Sequence, residues 1–134
     1  MADHITKKIM EHLSFLDKLT DLTKKINFES NQDQSNKVLS LINNRERLIQ
    51  IIQQMERKIH IAISKENKNN DFIFQIYGTW KSDIKRSYKI ICDLDKLSMN
   101  NFYNLKRSTK EKISKAFSLN QSHSAYLTNS LELY

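Results

Sequence analysis

The chain has no proline and one glycine in 134 residues. Sheet proteins of this length need several tight turns, and those turns draw on Gly and Pro. Their near-absence excludes most all-β architectures and predicts an all-α chain with few, short connections. It also excludes a Gly-rich phosphate loop and a nucleophile elbow, both of which need glycine where backbone must turn sharply. One cysteine, Cys92, excludes an intramolecular disulfide. It follows an apolar pair and reads as a small hydrophobe packed in the core. No run approaches the ~20 apolar residues of a membrane span. The first fifteen residues carry charges throughout and lack the apolar stretch of a signal peptide. The expectation is a cytoplasmic protein, not inserted in a membrane.

What the chain has in abundance is charge and helical rhythm. Charged residues make up 28% and the formal net charge is +7, with the excess lying beyond residue 34. A basic balance admits nucleic acid or an acidic protein surface as partner, or simply a Lys-rich solvated surface. At this length one domain is expected, spanning residues 1–134.

A first helix is predicted from about Asp3, a candidate N-cap, to Phe28. Ile5, Ile9, Leu13, Leu16, Leu19, Leu22 and Ile26 share its apolar face. "NFESNQDQSN" reads as a loop. A second helix is predicted over about 34–65, with a heptad-like seam of Val38, Leu41, Arg45, Leu48, Ile52, Met55, Ile59 and Ala62. "KENKNND" closes it, because Asn and Asp compete for backbone hydrogen bonds. A third helix starts at Asp71, and its periodicity persists to about residue 118. It either continues as one long arm, the reading preferred here, or breaks at "SMNN". Gly78 within it implies a close helix–helix approach or a local kink. A short helical segment over about 122–134 completes an antiparallel three-helix bundle with long helices.

Few residues suggest catalysis or metal binding. The four histidines are scattered, and the His60–Glu56 spacing reads as a solvent-facing pair. Asp93 and Asp95 diverge around a helix and form no carboxylate dyad. The expectation is no enzyme activity, no cofactor and no metal. Lys81, Lys85 and Lys89, with Arg86 beside them, form a basic stripe that could follow phosphates, so a basic nucleic-acid-binding helical protein stands as an alternative, and a plain helical adaptor as another.

The second helix poses a sharper question. Its apolar arc covers about 180°, against the ~100° one bundle face requires. Two neighbouring helices could bury the surplus, or part of it could stay open for a foreign amphipathic helix. Charged residues interrupt the same seam. Arg45 and Glu56 stand on it eleven residues apart, either snorkelling or fixing register.

"LSLINNRERLIQIIQQMERKI" resembles the second helix of FliT-type flagellar export chaperones, in which an Arg-Glu pair follows a leucine-rich start. "ICDLDKLSMNNFYNLKRSTKEKISKAFSLNQSHSAY" is similar to their third, with Ile91 to Asp95 and Ala125-Tyr126 at the matching points. FlgN-type chaperones are nearly as similar. The positive charge departs from the family, whose members are often acidic. The resemblance implies a non-enzymatic cytoplasmic chaperone in type III secretion. Its client would be the C-terminal helical segment of a filament-cap or hook-associated protein, with the export ATPase or gate as a further partner and homodimerisation left open. On this reading Ile51, Met55, Trp80 and Tyr88 contact the client. Arg45 and Glu46 set helix register with Asp95 as partner of Arg45. Tyr126, Leu127 and Leu131 form a C-terminal lid over the groove.

Overall fold

A computed structural model describes residues 2–32, 35–66, 70–103, 111–113 and 115. The described residues form three long helices and no strand: α1 (Ala2–Ser30), α2 (Ser35–Ser64) and α3 (Asp71–Phe102). They form a helical bundle in which α1 packs against both other helices. No described helix is long and apolar enough to cross a membrane.

The helix ends follow from local chemistry and, in one case, from tertiary contacts. Asn70 caps α3, its side-chain oxygen accepting from the amides of Phe72 and Ile73, donors a helix start otherwise leaves unpaired. Asp3 sits in the first turn of α1 rather than at its cap. The expected loop "NFESNQDQSN" begins later than its composition suggests, because Asn27 to Ser30 remain helical. Glu29 is buried and pairs with Lys37 of α2 at 2.9 Å. Asn27 accepts from Ser98 at 3.2 Å and from Asn101 at 3.3 Å. Those cross-helix bonds outweigh the poor helix propensity of the segment.

The third helix is shorter than its periodicity. It runs straight through "SMNN" and ends at Phe102, not near residue 118. Residues 111–113 are again helical, and Ile113 is fully buried. The apolar rhythm thus continues past the end of the helix that began it. The segment over 122–134 lies outside the described residues.

Two apolar clusters fill the interior. The larger joins Ile5, Ile9, Leu16 and Leu19 of α1 to Ile49, Ile52 and Ile59 of α2 and to Ile84 and Ile91 of α3. The smaller, at the other end, joins Ile26, Val38, Leu41, Ile42, Phe102 and Ile113. Between them each helix contributes a polar residue: Thr23, Arg45 and Asp95. Thr23 donates to the Leu19 carbonyl at 2.8 Å. The α2 seam is therefore Val38, Leu41, Ile42, Arg45, Ile49, Ile52, Glu56 and Ile59. Ile49 and Glu56 take the buried positions expected of Leu48 and Met55, which are only half-buried.

The cross-helix bonds have a consistent order. Along α1, His12 meets Trp80 early in α3, and Asn27 meets Ser98 and Asn101 late in it. From α2 the order reverses: Arg45 meets Asp95, Glu56 meets Tyr88, and His60 meets Tyr77.

Gly78 is exposed, and a β-carbon built there would meet nothing within 4 Å among the described residues. The close helix approach expected at this residue is absent. Cys92 is half-buried and packs against the larger cluster.

Candidate functional site: a buried polar layer and an open face

Three helices meet at one polar layer. His12 of α1, Glu56 of α2, and Trp80 and Tyr88 of α3 are all buried. The indole N–H of Trp80 donates to His12 Nδ1 at 3.0 Å. An indole can only donate, so Nδ1 must accept. The proton of the neutral ring then sits on Nε2, which faces Glu56 Oε1 at 3.1 Å. The same oxygen accepts from the Tyr88 hydroxyl. A chain of donors thus runs from α3 through α1 and ends on one carboxylate of α2, with Tyr88 closing it from α3.

An aromatic group extends the layer towards the surface. His60 lies 5.0 Å from the Trp80 ring and 5.8 Å from Tyr77, centroid to centroid. The Tyr77 hydroxyl is 3.3 Å from His60 Nδ1. His60 is held below its ordinary value of 6.5, chiefly because burial strips water from the charged ring. Glu56 opposes this, while His12 and Lys81 add to the lowering.

These contacts revise several sequence expectations. Trp80 and Tyr88, expected as client contacts, are 1% and 0% exposed and bonded inside the bundle, so neither lies on an open surface. The reason is geometric: their spacing of eight residues is two steps of four through the buried Ile84, which keeps both on α3's inner face. Glu56 does not face solvent with His60; it faces His12 and Tyr88. The histidines are not all scattered, since His12 and His60 both contact the Trp80 ring. His12 was missed as a partner for Glu56. Its signal was available, because it stands three residues after Ile9 and four before Leu16, within the apolar seam of α1.

Eleven residues from Glu56 along α2 is the second layer. The Arg45 guanidinium pairs end-on with Asp95, both nitrogen–oxygen distances being 2.6 Å. Arg45 is 5% exposed. Its Nε, also buried, has no hydrogen-bond partner among the described residues. Glu46 is half-buried beside the pair, which joins Arg45 to Asp95 directly.

The two remaining expected client residues behave differently from the aromatics. Ile51 is 43% exposed and Met55 half-buried. At about 100° per residue both lie on the side of α2 away from His60, which touches α3. They therefore belong to the α1 side of the helix, not the α3 side where the client edge was expected. Nearby on α1, Phe15 packs against the core and carries Lys18 over its ring at 4.6 Å.

The basic stripe of α3 is partly engaged. Arg86 lies 3.5 Å from Asp83, Lys89 lies 3.9 Å from Asp93, and Lys81 sits 4.5 Å above the Tyr77 ring. Among the described residues no three His, Cys, Asp or Glu side chains gather as a metal ion would require. The expected lid residues Tyr126, Leu127 and Leu131 lie outside the described residues. Comparison with protein-family models, curated proteins and solved structures finds no match to the chain.

Proposed function

We propose that the chain is a non-enzymatic binding protein of the export-chaperone type. It holds an amphipathic helical segment of a partner, the C-terminal segment of a flagellar filament-cap or hook-associated protein, on the outer face of α1 and α2. The observation that carries this reading is Ile51, an apolar side chain 43% exposed on a helix whose other face already fills the core. Met55, one turn further on, adds a thioether that can adapt to varied apolar partners. The ordered cross-helix bonds support an antiparallel bundle, with α1 and α3 running together and α2 against them. In such a bundle the α1–α2 groove and the α2–α3 groove are distinct surfaces. The most polar interior groups, His12, Glu56, Arg45 and Asp95, bond one another, which suits a rigid scaffold better than a reaction centre. A nucleic-acid role draws less support, because the α3 stripe is partly occupied by neighbouring carboxylates and by a tyrosine ring.

The test is co-expression of the full chain with C-terminal segments of filament-cap and hook-associated proteins, followed by titration of the purified pair. A stable complex is expected, weakened about tenfold by Ile51→Asp, which places a charge in a desolvated contact. Because Ile51 lies outside the core, its substitution should leave the thermal midpoint nearly unchanged. Absence of binding to every such segment, or an Ile51→Asp variant that binds as the parent does, defeats the reading.

A further inference from the structure

At one end of the bundle, the start of α1 and the end of α2 enclose a groove of about 640 Å³. Its apolar lining is Ile5, Ile61 and Ala62, and Ile61 is 54% exposed. Its charged lining is mostly basic: Lys8 from α1 and Lys58 and Lys65 from α2, beside His4, with Glu66 the one acidic residue. Lys58 and Lys65 are exposed.

Ile51 does not line the groove but lies on the same side of α2. Ile51, Lys58 and Lys65 follow one another by seven residues, so they fall within about 40° of one line along α2. From Ile51 to Lys65 that line is about 21 Å long, close to four helical turns. A compact small molecule would fill only one end of it. A partner helix lying along it would meet lysines about 10 Å apart, with Ile61 on one side of them and Ala62 on the other.

We infer that this α1–α2 groove takes an acidic amphipathic helix, whose carboxylates, about seven residues apart, meet Lys58 and Lys65 while its apolar stripe covers Ile61, Ala62 and Ile51. The inference rests on the binding reading above and adds the charge of the partner segment. The physical basis is complementarity. Carboxylates on the partner remove the mutual repulsion of three lysines set beside exposed apolar surface, steer the encounter and fix its register. A basic helix would add to that repulsion.

The experiment uses the full chain and two synthetic helical peptides of identical apolar stripe, one flanked by Glu and one by Lys at the same positions. Binding is followed by fluorescence anisotropy at several salt concentrations. The acidic peptide should bind, the basic one should bind at least about tenfold more weakly, and the preference should shrink as salt rises. In the Lys58→Glu, Lys65→Glu variant the order should invert. Circular dichroism of that variant checks that the fold is kept, and Lys58→Gln with Lys65→Gln gives the same readout without added repulsion. Equal affinity for the two peptides overturns the inference. So does a concentration-dependent dimer that the charge reversal dissociates, since a second copy would then be the occupant. Failure of flagellar segments to bind, with the acidic preference intact, removes only the client proposed above; a flagellar segment that binds equally well after charge reversal removes only the present inference.

Discussion

An unpaired carboxylate at the position of Glu56, 1% exposed, would be one of the costliest groups in the chain. Its survival there depends on Tyr88 and His12, and His12 is held in turn by Trp80. A network of this kind stabilises only when each member is satisfied. His60 stands at its margin and supplies a pH dependence. Its imidazole is held below 6.5 in the folded chain by burial. In the unfolded chain it takes up a proton at its ordinary value. The contribution of neutral His60 is therefore complete above about pH 6.5 and is lost as pH falls from there towards the lowered folded value, below which it is constant. Denaturant midpoints at pH 7.5 and 5.5 should show the folded chain weakening on acidification. His60→Gln should weaken less over the same interval. If the two chains lose equal stability, His60 is not titrating differently in its folded setting.

At the scale of the helices, the sequence was legible where periodicity is strong and ambiguous where two faces compete. The existence of α1, α2 and α3 follows from apolar spacing alone, and the start of α3 at Asp71 from the Asn and Asp run before it. The end of α3 did not follow, because apolar spacing reports which side of the chain is buried and not whether the backbone stays helical. The register of α2 was misread by one position at Leu48 and Met55. Both Leu48 and Ile49 are large and apolar, and composition cannot rank them; the charged Arg45 and Glu56, seemingly anomalies, in fact marked the true seam. His12 and Trp80 show the same limit, since a polar ring on an apolar stripe becomes interpretable only when its partner on another helix is known. Gly78 gives this scale its prediction. It lies mid-helix, exposed, with open space where a β-carbon would sit. Nothing there requires glycine, so its helix penalty of about 1 kcal/mol relative to Ala is uncompensated. Gly78→Ala should raise unfolding stability by roughly that amount in a urea titration with an unchanged slope. A loss of stability would mean that α3 uses a bend at this point.

For the molecule as a whole, three amphipathic helices with apolar seams can pair in more than one way, with one another or with a second copy. What distinguishes one pairing is the height at which polar groups occur. Glu56 must meet His12 and Tyr88, and Arg45 must meet Asp95, with three turns of α2 between the two layers. Sliding α2 by one heptad would bring Glu56 opposite apolar residues and strand Arg45. Each layer is thus expected to penalise wrong registers more than it stabilises the right one. The contrast is measurable. His12→Leu alone removes one hydrogen-bond donor from a buried carboxylate and leaves the Trp80 N–H without its acceptor, and should cost about 1–3 kcal/mol. Made in a chain that already carries Trp80→Phe and Tyr88→Phe, so that no buried donor loses its acceptor, the joint replacement of His12, Glu56, Arg45 and Asp95 by Leu or Met removes both sides of each pair, and also the orphaned Nε of Arg45. That chain should unfold at a midpoint equal to or above the parent's, because well-packed apolar side chains carry no desolvation penalty. It should nevertheless lose its single state, eluting as a mixture of association states in size-exclusion chromatography with light scattering. A fourfold variant that remains one species with sharp amide resonances would show that loop lengths and apolar packing suffice to choose the register. A fourfold variant less stable than His12→Leu alone would show instead that the polar layers contribute net stability of their own.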